Sequence, residues 1–232
     1  MPQLERSYIF EFAGMPQSGK TSVEQILAHY LKRMEYPVVE FNGGSRHSGL
    51  ATIYSIPIGK LNEHLANNIE NFVRSIDKRQ SPYNIYLLDR GLIDRYIFTD
   101  ALVRVNKVLP NQAEKLYKSL TAPELLEKLD GIFIFTSSPQ TALDREYADK
   151  LVKHKDVRSQ GDVMNERFLS EMRFAAIEWQ DKLSRRSIGH LRHFKPIDTT
   201  PLNTDMQMVA KHIFESINNW YPELEFQLTS TR

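Results

Sequence analysis

The stretch GMPQSGKTS, residues 14–22, combines residue types and spacings that could hold phosphate groups. It follows the pattern G-x-x-x-x-G-K-[ST], in which Gly14 and Gly19 allow the backbone to wrap around an anion with its N–H groups pointing inward. Lys20 could then contact the outer phosphates, and the hydroxyl of Thr21 could bind Mg²⁺. The residues that we predict to form this phosphate loop are Gly14, Met15, Pro16, Gln17, Ser18, Gly19, Lys20, Thr21 and Ser22.

The residues on either side of the loop have the context that the motif requires. The apolar run SYIFEFA precedes it and VEQILAHYLKRM follows it, which predicts a strand before the loop and a helix after it. The structural alternative is a glycine-containing turn with an exposed lysine. GTPases, motor and remodelling ATPases and small-molecule kinases share such a loop, so it does not name a reaction. GTPases normally carry the guanine-specific motif N-K-x-D. The only Asn-Lys pair of the sequence, in VNKVLP, lacks the Asp, which argues against a GTPase.

A second candidate for chemistry is the pair Asp89-Arg90, which ends the apolar run NIYLLDRG. If this strand lies beside the first one, Asp89 emerges near the phosphate loop, where a carboxylate can bind Mg²⁺ or accept a proton from an attacking hydroxyl. The planar guanidinium of Arg90 suits a phosphate or a carboxylate. The alternative is that the two residues form an ion pair that caps the following helix.

Three further residues are weaker candidates for contacts with a substrate. Asp94 and Tyr96 follow in GLIDRYIF, about a turn into the next helix, where they could shape a pocket. Arg46 belongs to the irregular stretch 42–60, which follows a predicted strand and is therefore a candidate substrate wall. Arg46 could bind the phosphate of an acceptor or could be an exposed loop arginine.

A basic segment follows the fourth predicted strand, in SSPQTALDREYADKLVKHKDVRSQGD. We predict that residues 145–162 form a lid, because Arg145 and Arg158 could stabilise charge on a transferred phosphoryl group and exclude water. Acidic residues alternate with the basic ones, so a solvated helical surface is the alternative.

The rest of the chain alternates short apolar runs with segments of helical period, which predicts a three-layer α/β domain with a mostly parallel sheet. The predicted strands are residues 8–13, 36–41, 84–89, 131–136 and 192–198. Apolar residues spaced by three and four predict helices around residues 61–76, 168–179 and 206–217, the last with Thr204 or Asp205 as its cap. No linker marks a boundary, so we predict one domain over residues 1–232.

Composition narrows the classes of partner. The chain has 30 Lys+Arg against 29 Asp+Glu, a formal net charge of +1, so no field of the whole protein would attract nucleic acid or an anionic membrane. Cysteine is absent, which excludes disulfides and thiolate metal sites. No apolar run approaches the roughly 20 residues of a membrane span, and we expect a cytoplasmic protein.

From residue 8 to about 217 the chain resembles the thymidylate kinase and deoxynucleoside kinase group of phosphate-loop kinases. The pieces that carry the resemblance are GMPQSGKTS, LLDRG, SSPQTALDREYA, GDVMNERFLSEM and IDTTPLNTDMQMVAKHI, in that order. The resemblance implies a five-stranded parallel sheet sandwiched by helices, ATP and Mg²⁺ at Lys20 and Thr21, and a catalytic centre at Asp89-Arg90. It also implies that Arg145 and Arg158 belong to a lid and that residues 198–203 lie beside the adenine. A homodimer is implied as well.

The sequence also departs from this family. An acidic residue usually stands where Pro16 lies, and another usually precedes the turn that NGGSR resembles, where Phe41 stands instead. Glu40 is displaced by one residue, to the opposite face of a strand. Asp89 therefore becomes the best base by elimination, and thymidylate is in doubt as the acceptor. We predict a small-molecule kinase, with a kinase for a metabolite such as nicotinamide riboside, or a regulatory ATPase, as the alternatives.

Overall fold

A five-stranded, entirely parallel sheet forms the centre of the protein, in the order β2-β3-β1-β4-β5. The structure is a computed structural model that describes residues 4–44, 56–153, 163–185, 191–201 and 203–224. The strands are β1 (Tyr8–Gly14), β2 (Val38–Asn42), β3 (Ile85–Asp89), β4 (Gly131–Thr136) and β5 (Phe194–Asp198). Each contains most of one predicted strand, with ends that differ by at most two residues, so the predicted parallel sheet is confirmed.

Eight helices and a short 3-10 helix, Pro222–Leu224, are found in the described residues. The helices are α1 (Lys20–Arg33), α2 (Ile58–Ser75), α3 (Leu92–Arg104), α4 (Pro110–Leu120), α5 (Pro123–Leu126), α6 (Pro139–Lys153), α7 (Glu166–Ser184) and α8 (Met206–Trp220). The three predicted apolar stripes lie in α2, α7 and α8. Of the two predicted caps of α8, Asp205 is the one used, since its carboxylate accepts the backbone N–H of Gln207 at 2.8 Å.

The alternation of side chains along β1 divides the core into two layers, one on each face of the sheet. Tyr8, Phe10 and Phe12 pack on one face with apolar residues of α1 and α8. Ile9 and Ala13 pack on the other face with residues of α2, α3 and α7. The helices thus cover both faces of the sheet, which confirms the three-layer arrangement predicted from the strand and helix pattern.

Burial differs between the inner and outer strands. Every residue of β1 and β4 is buried, as a parallel strand covered on both faces requires. β2 and β5 are partly exposed, because each lies at an edge and pairs with only one strand. Pro196 lies within β5. Its nitrogen faces the unpaired side of this edge strand, so the missing N–H removes no hydrogen bond to β4. Complete burial of the strands is therefore found in the interior of the sheet and not at its edges.

The carboxyl ends of the strands bring distant parts of the chain together at one edge of the sheet. Phe12 of β1 is in register with Asp89 of β3, and Asn42 of β2 is in register with the same residue. The phosphate loop leaves the end of β1 between β3 and β4, at the point where the chain turns from one half of the sheet, β2 and β3, to the other, β4 and β5. Ligands bind in the crevice at such a point in open α/β sheets, and the candidate site lies there.

Candidate active site

The loop between β1 and α1 has a backbone conformation that its glycines make accessible. Gly14 and Gly19 have φ angles of 113° and 89°, in the left-handed region that L side chains rarely adopt. A Cβ on Gly14 would lie 2.1 Å from the carbonyl oxygen of Phe135, so β4 also requires a glycine there. Gln17 adopts a positive φ of 54° without being glycine. The loop therefore wraps tightly and leads directly into the N-terminus of α1.

Lys20 folds back into the loop. Its Nζ donates hydrogen bonds to the carbonyl oxygens of Gly14 at 2.9 Å and Met15 at 2.6 Å, and the side chain is almost completely buried. Burial, together with the nearby guanidinium of Arg90, lowers the pKa of Lys20 to about 7. An anion bound in the loop would favour the protonated amine, so this lysine is placed to respond to phosphate.

Asp89, at the end of β3, meets Thr21 at the start of α1. The Thr21 hydroxyl donates a hydrogen bond to Asp89 Oδ2 at 2.5 Å, and the amide of Asn42 donates to the same oxygen at 3.2 Å. Asp89 Oδ1 is buried, and no residue in the described part of the chain hydrogen-bonds to it. The structure thus brings the two predicted Mg²⁺ ligands together and leaves one carboxylate oxygen without a protein partner.

These groups fit the requirements of Mg²⁺. The ion prefers oxygen ligands and is usually held by one or two carboxylates together with substrate phosphates and water. Within the described ranges no group of three or more His, Cys, Asp or Glu side chains could form a cage of protein ligands alone. Thr21 and Asp89 would therefore hold the ion jointly with the phosphates of a nucleotide.

Asp94 is buried inside the protein and does not line the cavity. Its Oδ1 accepts the backbone N–H of Gly14 at 3.0 Å, and its Oδ2 lies 2.8 Å from Arg95 Nη2 and 3.6 Å from Arg90 Nη1. Burial acts to raise the pKa of Asp94, but the two arginines and Lys20 outweigh it, and the pKa lies below its ordinary range. Asp94 was predicted to contact substrate, and the structure instead places it between the phosphate loop and two arginines.

The structure does not bring Tyr96 to the cavity. Its ring stacks on Tyr117 at 4.2 Å between centroids and meets Trp179 edge-on at 4.5 Å. Successive residues of a helix point about 100° apart, so the neighbour of Arg95 faces α4 and α7 rather than the site. The predicted role of Tyr96 in substrate binding therefore has no support in its position.

A cavity of about 490 Å³ extends from the phosphate loop along α2 and α3. Arg90 and Arg95 line it, and Arg95 also hydrogen-bonds to the buried amide of Asn62 at 3.4 Å. An apolar wall completes it, formed by Ile58, Leu61, Leu65, Phe98, Val163 and Met164. The motifs of the sequence do not indicate Asn42, Asn62 and Arg95 as site residues. Asn62 could have been found from the sequence, because it is an amide on the buried side of the apolar stripe of α2.

Arg145 binds the outside of the phosphate loop. Its guanidinium donates to the carbonyl oxygen of Gln17 at 3.2 Å and to those of Thr199 at 2.8 Å and Pro201 at 2.9 Å. The neighbouring Glu146 accepts a hydrogen bond from the Gln17 amide and lines the cavity. Arg145 thus joins the loop to the segment after β5 and does not line the cavity. Arg158 and Arg46 lie outside the described residues, as does the end of the predicted lid.

Glu11 is a completely buried carboxyl on β1 for which the sequence offered no role. Its Oε1 accepts the backbone N–H of Asp94 at 2.8 Å, so β1 caps the N-terminus of α3. A Cβ on Gly91 would lie 2.5 Å from the Glu11 carboxyl carbon, which explains the glycine. Burial, and to a lesser extent the charge of Asp94, raises the pKa of Glu11 to about 8 although backbone N–H groups oppose the shift.

Replacing Glu11 by glutamine should make stability less dependent on pH. Because the folded pKa is about 8 against an ordinary value of 4.5, the folded protein holds an extra proton between these values, and stability falls as pH rises through this window. Glutamine matches the neutral carboxyl and cannot ionise. Chemical denaturation at about pH 5 and pH 8 should show the variant gaining on the wild type by up to about 1.4 kcal/mol per pH unit. A constant difference, as expected for the exposed control Glu63→Gln, would contradict this.

Comparison with solved structures finds the same fold in nucleoside and nucleotide kinases. Deoxyadenosine kinase from M. mycoides with bound dATP is 16% identical and matches with a TM-score of 0.61 over 91% of this chain and 99% of its own. The same kinase with dCMP and dCDP is 14% identical, with a TM-score of 0.59 over 91% and 98%. Thymidylate kinase from Candida albicans is 13% identical, with a TM-score of 0.60 over 94% of each chain.

No protein-family model matches the chain, and neither does any curated protein sequence. At these identities the structural likeness establishes the fold alone, and this fold is shared with the deoxyadenosine kinase and thymidylate kinase structures. The fold implied by the sequence resemblance is thus confirmed. None of the described helices is long and apolar enough to cross a membrane.

Proposed function

We propose that the protein transfers the γ-phosphoryl group of ATP to a nucleoside, a nucleoside monophosphate or a similar small metabolite. The observation that carries this proposal is the contact between Thr21 and Asp89 beside Lys20, at the end of a cavity that continues beyond the phosphate loop. The loop supplies a place for the donor, and the rest of the cavity supplies a place for an acceptor. Catalysis of phosphoryl transfer consists mainly of positioning the two and stabilising charge.

On the donor side, the backbone N–H groups of residues 14–19 and the N-terminus of α1 would hold the triphosphate. Lys20 would leave the carbonyl oxygens of Gly14 and Met15 and contact the outer phosphates. When bound, Mg²⁺ would supply positive charge that neutralises the charge developing on the phosphates. Thr21 and Asp89 would hold that ion. Arg145 would act here by fixing the loop and the segment that follows β5, beside which we place the adenine.

On the acceptor side, an oxygen of the acceptor forms a new bond to the γ-phosphorus while the bond to the β,γ-bridging oxygen breaks, and ADP leaves. As the alternative to holding the ion, the Asp89 carboxylate would take the proton of an acceptor hydroxyl and release it to solvent. Arg90 lines the cavity next to Asp89 and would stabilise charge on the transferred group. Arg158, in the lid, would also stabilise charge on the transferred group. Arg46 would bind the acceptor.

The cavity favours a kinase over a regulatory ATPase. A switch needs room only for its nucleotide, whereas here an apolar wall and a buried amide extend the cavity past the phosphates. An apolar wall with a few placed polar groups, as in this far part of the cavity, is typical of small-molecule sites. The bound nucleotides of deoxyadenosine kinase support the nucleoside or nucleotide class. We further propose a homodimer, on the family resemblance alone, and a cytoplasmic location, on the composition and apolar pattern of the sequence.

Screening ATP consumption against nucleosides, nucleoside monophosphates and related metabolites such as nicotinamide riboside tests the proposal. We expect stoichiometric release of ADP and a phosphorylated product with one chemical class of acceptor and not with the others. Slow hydrolysis that no metabolite changes would support the regulatory ATPase instead. Phosphorylation of nicotinamide riboside alone would support the alternative kinase. Product identification by mass spectrometry keeps hydrolysis and transfer apart.

A further inference from the structure

The turn after β2 lies unusually close to the end of β3. Asn42 is in register with Asp89, and the backbone N–H of Gly43 donates to the Asp89 carbonyl oxygen at 2.8 Å. A Cβ on Gly43 would lie 2.1 Å from the carbonyl oxygen of Arg90, so only glycine permits this approach. The backbone around the candidate catalytic carboxylate is therefore held by the neighbouring strand.

The side chain of Asn42 is oriented at both ends. Its Oδ1 accepts the backbone N–H of Gly44 at 2.8 Å, which leaves its Nδ2 to donate to Asp89 Oδ2 at 3.2 Å. Because the amide oxygen is already engaged, the donor end faces the carboxylate. An aspartate at this position could not donate and would repel Asp89.

Both donors to Asp89 use the same carboxylate oxygen. Thr21 and Asn42 hydrogen-bond to Oδ2, from α1 and from β2 respectively, while the buried Oδ1 has no partner in the described part of the chain. Two donors from different directions fix the rotation of the Asp89 carboxylate about its Cβ–Cγ bond. Hydrogen bonds behind a metal ligand commonly orient it in this way.

We propose that Asn42 is a positioning residue that fixes the orientation of the Asp89 carboxylate beside Thr21, where the two residues would hold Mg²⁺. Asn42 lines the cavity beside Asp89, and it acts on the ion through that carboxylate. The inference rests on the proposed function, because it assumes a nucleotide and Mg²⁺ at this site. It adds a residue from a strand that the motifs do not include.

Calorimetric titration with ADP, in excess Mg²⁺ and in EDTA, measures how much the ion strengthens nucleotide binding. Wild type, Asn42→Ala and Asn42→Leu are compared, since leucine fills similar space without donating a hydrogen bond. We expect both variants to reduce the Mg²⁺-dependent gain in affinity about tenfold, as is typical when an outer-shell partner of a metal ligand is lost. Binding in EDTA should be unchanged, which also shows that the phosphate loop remains folded.

The matched control is Asn67→Ala, an exposed asparagine on α2, which should keep the full Mg²⁺-dependent gain. If both Asn42 variants keep that gain within about twofold, the positioning role is overturned while the proposed function stands. Equal loss of affinity with and without Mg²⁺ would indicate a merely structural role and also overturn it. If the wild type binds ADP in neither condition, or equally in both, the metal site and the inference fail together.

Discussion

Replacing Lys20 by alanine is expected to abolish phosphoryl transfer while the protein stays folded. The Nζ lies inside the phosphate loop on two carbonyl oxygens, where it can move to the phosphates without a change in the backbone. A preorganised charge in a dry site stabilises the transition state far more than one in water, so we expect kcat to fall by about 10³-fold or more. Coupled measurement of ADP release with the acceptor identified by screening gives the rate.

Folding should survive this change because the removed charge is costly to bury. Burial lowers the pKa of Lys20 to about 7, so the native state does not depend on a stable ammonium there. Circular dichroism and thermal unfolding should match the wild type. Lys32→Ala is the control, since this half-exposed lysine of the same helix pairs with the partly exposed Glu40. Full turnover by the Lys20 variant would refute the assignment of the phosphate loop.

The parts of the site that the sequence predicts well are those set by local structure. The phosphate loop requires glycines, a lysine and a hydroxyl at fixed spacings, and the strand and helix around it follow from apolar pattern alone. The placement of Asp89 depended on one tertiary condition, that its strand lies beside the first, and the sheet order meets it. A motif plus one neighbour relation therefore located the centre of the site.

The residues that the sequence missed act across elements. Asn42 matters because β2 pairs with β3 in a register that puts its amide on the Asp89 carboxylate. Arg95 is adjacent to Asp94 in sequence, yet it lines the cavity while Asp94 does not, because successive side chains leave a helix at different angles. Tyr96 shows the same limit in reverse, since one more residue along the helix turns it into the core. Spacing along the chain cannot supply these angles.

A chain of buried contacts also joins the donor and acceptor halves of the cavity. Glu11 holds the N-terminus of α3, and Asp94 on that helix binds both the first glycine of the phosphate loop and Arg95. Each carboxyl is completely buried, so both owe their place to partners in other elements. Glu11 and Asp94 thus form the framework that joins the two halves.

Asp89→Asn is expected to lower kcat by about 10² to 10⁴-fold with little effect on stability. Asparagine has the same shape and can keep the hydrogen bond from Thr21 through its amide oxygen, but it can neither accept a proton nor offer Mg²⁺ a charged oxygen. The hydrogen bonds of the Asp89 carboxylate come from the neutral Thr21 and Asn42, so none of them is an ion pair, and its charge acts on Lys20 and Arg95 through space. Steady-state rates and denaturant unfolding measure the two effects.

The binding of ADP separates the two roles that Asp89 could have. If the carboxylate serves as the base, the affinity for ADP in Mg²⁺ stays at the wild-type value while kcat falls. If it is a metal ligand, the affinity in Mg²⁺ falls towards the value in EDTA together with kcat. Asp181→Asn removes an exposed carboxylate of α7 that pairs with Arg185, and it should change neither quantity. An Asp89 variant that retains full turnover would contradict both roles, and the proton and the ion would then need another residue of this chain.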